Sequence, residues 1–123
     1  MNGWFAAAAG LSAFTCGLHV IVGGRIAARP LLAATDLGRI VKFTTYYCWH
    51  LVTIAIGALA VAFACSARAG AATDLAVFAT VIAFLFAMWS LGMIAMFRLS
   101  LVQFCQWILF FPIGVLGLIG SLG

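Results

Sequence analysis

Long, uninterrupted apolar runs constrain this chain more than any other feature. Four runs, at residues 4–22, 48–67, 75–97 and 101–122, contain no Asp, Glu, Lys or Arg. Each is close to the roughly 20 residues that an α-helix needs to cross about 30 Å of hydrocarbon. The runs are continuous, whereas the strands of a membrane barrel alternate apolar with polar residues. The sequence therefore predicts an all-α, polytopic membrane protein with four transmembrane helices.

Composition supports a membrane location for the whole chain. Hydrophobic residues make up 67% of the 123 residues and charged residues only 7%, and the mean hydropathy is +1.30. A soluble domain of this length has too little interior to hide so much apolar surface from water. We therefore predict a single membrane domain that covers residues 1–123.

Small and polar residues recur at helical spacing within each run, which gives each helix one face suited to close packing. The residues that we assign to helix packing are Ser12, Cys16, Gly57, Gly114 and Gly117. The second run places His50, Thr53, Gly57 and Ala64 on one such face, and the third places Thr80, Ala83, Ala87 and Ser90. Large side chains are left for the outside, namely Phe84, Leu85, Phe86, Leu109, Phe110 and Phe111. This pattern favours a compact, antiparallel four-helix bundle.

Basic residues concentrate in the connections on one side of the bundle. The first and third connections hold Arg25, Arg29, Arg39, Lys42 and Arg98, which are five of the six Lys and Arg residues. Because basic loops stay in the cytoplasm, we predict an inner-membrane protein with both termini in the periplasm. We assign membrane anchoring among anionic lipid headgroups to Arg25, Arg29, Arg39 and Lys42. The net charge of +4 then needs no nucleic-acid partner, since no basic face is interleaved with exposed aromatic residues.

The first connection is the longest and has features of its own. A residue before proline is pushed out of the helical region, so Arg29 and Pro30 predict an extended break. Thr35 or Asp36 can then cap a new helix. Residues 37–43 alternate apolar with basic side chains at helical spacing, which predicts a short interfacial helix in this loop.

Both histidines lie about one turn inside a predicted helix, at similar depth on the same side. A polar side chain at membrane depth is costly and marks a site hypothesis. The interpretation that we favour is that His19 and His50 form hydrogen bonds between helices and bind no cofactor. The alternative is that they bind a b-type haem or a quinone, because paired imidazoles are suitable iron ligands. Consecutive helices pack at 8–10 Å, which leaves little room for a porphyrin.

Other chemistry finds little support in the sequence. Cys16 shares a helix face with His19, but Cys48 and His50 point in different directions, so we predict no metal site. No nucleophile, base and oxyanion donor can be assembled, so we assign no catalytic residue. Four helices in this length resemble small multidrug transporters, but those depend on an intramembrane Glu and this chain has none. A small transporter or channel therefore stays the second alternative.

Several short segments carry a resemblance to a known group. They are His19-Val-Ile-Val-Gly-Gly-Arg, Ala28-Arg29-Pro30-Leu31-Leu32, Tyr46-Tyr47-Cys48-Trp49-His50 and Gln106-Trp107. In these the chain resembles small four-helix inner-membrane proteins of alphaproteobacteria and their relatives, a family without an assigned activity. The resemblance implies a fold and a compartment, and no reaction.

These observations lead to one function hypothesis. We expect a non-catalytic accessory or structural subunit that packs against a larger inner-membrane complex, a bioenergetic complex among the candidates, or against copies of itself.

Overall fold

The computed structural model describes all residues from 1 to 123 and contains helices only, which confirms the all-α prediction. The helices are α1 (Gly3–Leu18), a π-helical segment (His19–Ala28), α2 (Arg29–Ala33), α3 (Arg39–Ser66), α4 (Asp74–Phe97) and α5 (Gln106–Leu122). The first three follow one another without interruption, so the chain forms four long helical units. These units pack into one helical bundle.

Three of the four units are long and apolar enough to cross a membrane: Gly3–Ala33, Arg39–Ser66 and Asp74–Phe97. The fourth, α5, has 17 residues and is about 26 Å long at 1.5 Å per residue. It begins at Gln106, five residues later than the predicted span of 101–122. Helix α5 begins later than predicted because residues 98–105 form the turn that follows α4.

Arg98 and Ser100 shape the start of the turn between α4 and α5. Arg98 ends α4 in the left-handed conformation, with φ of 52°. The backbone N–H of Gln103 then donates to Oγ of Ser100 at 3.4 Å. Residues 101–105 are used to reverse the chain and are not available to lengthen α5.

The first helical unit is longer than predicted, because the expected break at Arg29 and Pro30 is absent. Arg29 is helical, with φ of −64° and ψ of −50°. Pro30 lies in the first turn of α2, where a missing N–H is tolerated. The chain leaves the helix only at Ala34, whose ψ is 131°.

The separate interfacial helix predicted for residues 37–43 is also absent. From Arg39 onward these residues form the first turns of α3, which runs unbroken to Ser66. Gly38 precedes it without a side-chain cap, so neither Thr35 nor Asp36 caps this helix. One long helix leaves fewer unpaired backbone groups than two short ones, which favours the continuous form.

The helices pack in a cycle: α1 contacts α3 and α5, and α4 contacts α5 and α3. The predicted packing stripe of α4 is confirmed, since Thr80, Ala83, Ala87 and Ser90 are all buried. The stripe predicted for α3 is wrong. Its buried face is formed by Ile56, Leu59, Ala62, Phe63 and Ser66, whereas His50 and Ala64 are exposed.

Glycines on α5 explain this choice of face. Cβ atoms added to Gly114 and Gly120 would lie 2.9 Å from the ring of Phe84 and 2.6 Å from the ring of Phe5. One added to Gly117 would meet both Phe63 and Thr80. Large rings from three helices thus fill the space that the glycines leave open. At Gly57 on α3, by contrast, an added Cβ would have nothing within 4 Å.

Phe84, Phe86 and Phe110 are less exposed than predicted, whereas Phe111 is exposed as predicted. Phe110 is buried and packs edge-to-face on Phe86, with ring centroids 5.1 Å apart. Phe84 and Phe111 form a second pair of this kind at 5.9 Å. Pairing of rings across the two helices removes part of their surface from the outside.

Asn2 ties three helix ends together at one end of the bundle. Its Oδ1 accepts from the N–H groups of Trp4 and Phe5 and so caps α1. Its Nδ2 donates to the carbonyl of Gly120 at 2.9 Å, and its backbone N–H donates to the carbonyl of Ala67 at 2.9 Å. The start of α1 therefore lies beside the ends of α3 and α5, and His19 lies at the other end of α1.

Candidate functional site

Four aromatic and imidazole rings meet at the end of the bundle opposite Asn2. We name His19, Tyr46, Trp49 and His50 the histidine–aromatic cluster. The imidazole of His19 stacks on the indole of Trp49, with centroids 4.6 Å apart and planes 21° apart. The imidazole of His50 meets the rings of Trp49 and Tyr46 edge-on, at 5.0 Å and 4.6 Å. Both histidines therefore contact Trp49, and the structure brings together the two residues singled out from the sequence.

Local helix geometry explains how the cluster forms. Tyr46, Trp49 and His50 are spaced three and four residues apart on α3, so their side chains lie on neighbouring turns of one face. His19 begins the π-helical segment on the facing helix. Cβ atoms added to Gly23 and Gly24 would lie 3.8 Å and 4.0 Å from the indole of Trp49. The indole thus lies against the backbone of the widened helix, a feature frequent at functional sites.

The backbone carbonyl of Trp49 is the polar centre of the cluster. It lies 3.3 Å from Nε2 of His19 and accepts from the hydroxyl of Thr53 at 3.3 Å. A carbonyl only accepts, so this contact requires that Nε2 of His19 carries a hydrogen and donates it. The thiol of Cys16 adds a longer contact to the carbonyl of Thr53 at 3.7 Å. These contacts join the first helical unit to α3.

Two buried hydroxyls near the cluster are satisfied within their own helix. Ser12 and Thr15 are 0% and 2% exposed. Their hydroxyls donate to the carbonyls of Ala8 and Leu11, one turn earlier, at 2.8 Å in both cases. Their hydrogens are therefore already engaged, and their role in the structure is to let helices approach closely.

Thiols are spread over the bundle. Cys16 and Cys65 are partly buried, whereas Cys48 and Cys105 are exposed, and all four are free. No group of three His, Cys, Asp or Glu side chains lies close enough to hold a metal ion. Cys48 does not join the histidine–aromatic cluster, because its side chain leaves α3 in another direction from that of His50.

The basic residues of the first connection lie beside the cluster. A cleft of about 340 Å³ opens between the first helical unit and the start of α3. Arg25, Arg29, Tyr46 and Trp49 are among the residues that line it. Lys42 does not line the cleft, but its Nζ donates to the carbonyl of Leu32, a lining residue, at 3.2 Å.

The fourth anchoring residue, Arg39, lies away from this cleft. It lines a second, shallow depression on the outer side of α3, together with Phe43 and Tyr47.

Comparison of the chain with protein-family models, curated proteins and solved structures finds no match. The function must therefore be argued from the geometry of the molecule itself.

Trp49 makes more of the contacts in the cluster than the sequence indicates. A tryptophan near the end of a predicted membrane helix is typical of an interfacial aromatic belt, yet the ring of Trp49 contacts both histidines and its carbonyl is approached by two polar groups. The spacing of Tyr46, Trp49 and His50 was the available signal, because it places three rings on one helix face.

The cluster makes a testable prediction about the two histidines. We expect His19→Ala to lower the free energy of unfolding by about 1 to 2 kcal/mol, through loss of ring stacking and an interhelical hydrogen bond. His50→Ala is the matched comparison, because His50 is exposed and its edge-on contacts with Tyr46 and Trp49 lie within α3; its loss should be smaller, about 0.5 kcal/mol. Chemical denaturation in detergent micelles measures both. Equal losses for the two variants would contradict this account of the cluster.

Proposed function

We propose that this chain is a non-catalytic integral membrane protein, an antiparallel bundle of four membrane-spanning helices that serves as an accessory subunit of a larger membrane complex. Its histidine–aromatic cluster holds the first helical unit to α3, and its outer apolar surface contacts lipid and a protein partner. The observation that carries the proposal is the character of the outer face of α4.

Two sets of contacts support the antiparallel arrangement. Asn2 lies beside Ala67, and His19 lies beside Trp49, so α1 and α3 run in opposite directions. Along α5, Gly114 approaches Phe84 and the later Gly117 approaches the earlier Thr80, so α4 and α5 also run oppositely. Apolar helices of this length with their charges at the ends suit membrane insertion.

The outer face of α4 is rich in large side chains that nothing in the chain covers. Phe78, Val81, Leu85, Met88, Trp89 and Met96 are between 51% and 67% exposed. The opposite face of the same helix is small and buried. A helix that is apolar all round suits lipid on its outer side, and it equally suits another helix.

Trp89 and Met88 favour a protein partner over lipid alone. Tryptophans that face lipid concentrate at the two membrane interfaces. Trp89 is 67% exposed, yet it lies eight residues before the end of α4 at Phe97, which is about 12 Å along the helix axis. Tryptophan and methionine are enriched where proteins meet. This position favours a protein contact inside the membrane.

Purification in mild detergent followed by native mass measurement tests the proposal. We expect the chain to be recovered within an assembly that contains at least one other protein. Met88→Ala/Trp89→Ala should release it, because two of the most exposed side chains of the contact face are truncated. Ile54→Ala/Val61→Ala is the control, since these residues of α3 are 68% and 62% exposed and lie on another helix. A chain recovered alone, or only as a homo-oligomer, would overturn the proposal.

The haem part of the cofactor alternative is decided by a visible spectrum. His19 and His50 are neighbours, which keeps haem or quinone binding as the second candidate. Axial haem ligands face each other across the porphyrin, whereas the rings of His19 and His50 both pack directly against the indole of Trp49. We therefore expect no Soret band in the visible spectrum of the purified protein. A Soret band that disappears in His19→Ala/His50→Ala would favour haem.

A further inference from the structure

The cleft beside the histidine–aromatic cluster has the character of a binding site. It has a volume of about 340 Å³ and lies between the π-helical segment and the start of α3. Two arginines, Arg25 and Arg29, and two aromatic residues, Tyr46 and Trp49, are among the residues that line it. Basic and aromatic residues around one cleft suit a ligand with an anionic head and an apolar body.

The charges at this cleft are unbalanced. Arg25 and Arg29 are exposed, and no acidic residue is among those that line the cleft. The chain has only two acidic side chains. Asp74 begins α4, at the end of the bundle that holds Asn2. Asp36 lies in the exposed connection before α3 and does not line the cleft.

The order of residues along the helix matches the layers of a membrane surface. Trp49 lies within the predicted second span and Tyr46 just outside it, a level where aromatic rings contact the glycerol region of lipids. Arg25 and Arg29 follow His19 by six and ten residues along the first helical unit, which carries their charges outward to the phosphate level. Guanidinium groups bind phosphate oxygens in a bidentate manner, which adds geometric selectivity to the charge.

We propose that this cleft binds the phosphate of an anionic phospholipid, with Arg25 and Arg29 as the phosphate ligands and Trp49 and Tyr46 against the glycerol and upper acyl chains. The inference rests on the membrane insertion proposed above and does not depend on the partner complex. Arg25 and Arg29, which the sequence assigns to general membrane anchoring, then belong to a site that selects one lipid class.

Lipid retention in nanodiscs tests the site. The full chain is reconstituted with equal amounts of phosphatidylglycerol and phosphatidylcholine, and the lipids that stay bound on release are counted by native mass spectrometry. Wild type should retain phosphatidylglycerol in preference. Arg25→Gln/Arg29→Gln should reduce this preference roughly thirtyfold, because two phosphate contacts are lost. Gly24→Leu should reduce it without any change of charge, since Gly24 lines the cleft.

Two matched controls separate a site from a general surface effect. Arg39→Gln/Arg98→Gln removes the same charge outside the cleft and should change the preference by less than about threefold, since exposed charges act through a screened field. Gly17→Leu is the control for Gly24→Leu. It adds the same side chain to the same helical unit, at a position where the added Cβ has nothing within 4 Å.

Three results would overturn the proposal. They are an unchanged preference in Arg25→Gln/Arg29→Gln, an equal loss in the Arg39→Gln/Arg98→Gln control, and displacement of the lipid by millimolar inorganic phosphate, which would assign the cleft to a free anion. A protein that fails to enter nanodiscs at all contradicts the membrane function instead, so the two failures are distinguishable.

Discussion

Gly117→Ala is expected to lower the free energy of unfolding by about 2 to 3 kcal/mol, the upper part of the roughly 1 to 3 kcal/mol that it costs to force an extra carbon into a well-packed core. A Cβ at this position would meet Oγ1 of Thr80 and lie 2.9 Å from the ring of Phe63. Thr80 and Phe63 are themselves buried, and the hydroxyl of Thr80 is held by a 2.7 Å hydrogen bond to Ala76. Neither neighbour can move away freely, so α5 must shift outward.

Gly57→Ala provides the matched control for this substitution. Gly57 lies in the interior of α3, and an added Cβ there would meet nothing within 4 Å. Alanine favours a helix over glycine by about 0.8 to 1 kcal/mol, so this variant should be as stable as wild type or slightly more stable. Denaturant titration in the same micelles compares the two. Equal stability of Gly117→Ala and Gly57→Ala would contradict the close contact between α5 and its neighbours.

Phe63→Ala is the second substitution with a large expected effect, a loss of about 2 to 4 kcal/mol. Phe63 is 0% exposed, packs against Phe5 with ring centroids 6.3 Å apart and fills the space beside Gly117. In a membrane the unfolded reference is also apolar, so most of the loss comes from missing packing contacts and little from transfer to water.

Phe78→Ala tests whether this loss depends on position. Phe78 is 64% exposed on the outer face of α4, so its truncation should change the stability of the isolated chain by less than about 0.5 kcal/mol. Thermal unfolding followed by circular dichroism measures both variants. Similar losses at Phe63 and Phe78 would mean that the packed interior described above does not hold the helices together.

The existence of the helices follows from the sequence, because hydrophobic run length alone decides which segments suit a bilayer. Helix ends follow less well. The predicted break at Pro30 failed because proline is tolerated in a first helical turn, and residues 37–43 joined α3 because a continuous helix leaves fewer unpaired groups. The position of a helix end depends both on the conformational preferences of the local residues and on hydrogen bonding along the whole backbone.

The buried face of each helix could be predicted only in part. The small residues of α4 identify its inner side, whereas α3 places Phe63 inward and Gly57 against open space. That choice depends on which glycine of α5 lies opposite, and a single sequence does not reveal this pairing. In a membrane, hydrophobicity does not separate the inside from the outside of a bundle.

The polar residues of the candidate site could be predicted from the sequence. His19 and His50 stand out because polar side chains at membrane depth are rare. The role of Trp49 could not be read from its type, since a tryptophan at a helix end suits both a lipid interface and a ring cluster. Asn2 was missed, although an asparagine immediately before a helix is a known N-cap signal.

Cysteine accessibility tests the central claim, a bundle that crosses the membrane with its histidine–aromatic cluster on the cytoplasmic side. In a chain whose four cysteines are replaced by serine, single cysteines are placed by Gly38→Cys before α3 and by Ala72→Cys after it. A membrane-impermeant maleimide should label Ala72→Cys in intact cells and Gly38→Cys only after the membrane is permeabilised. Labelling of both positions from the same side would contradict the claim.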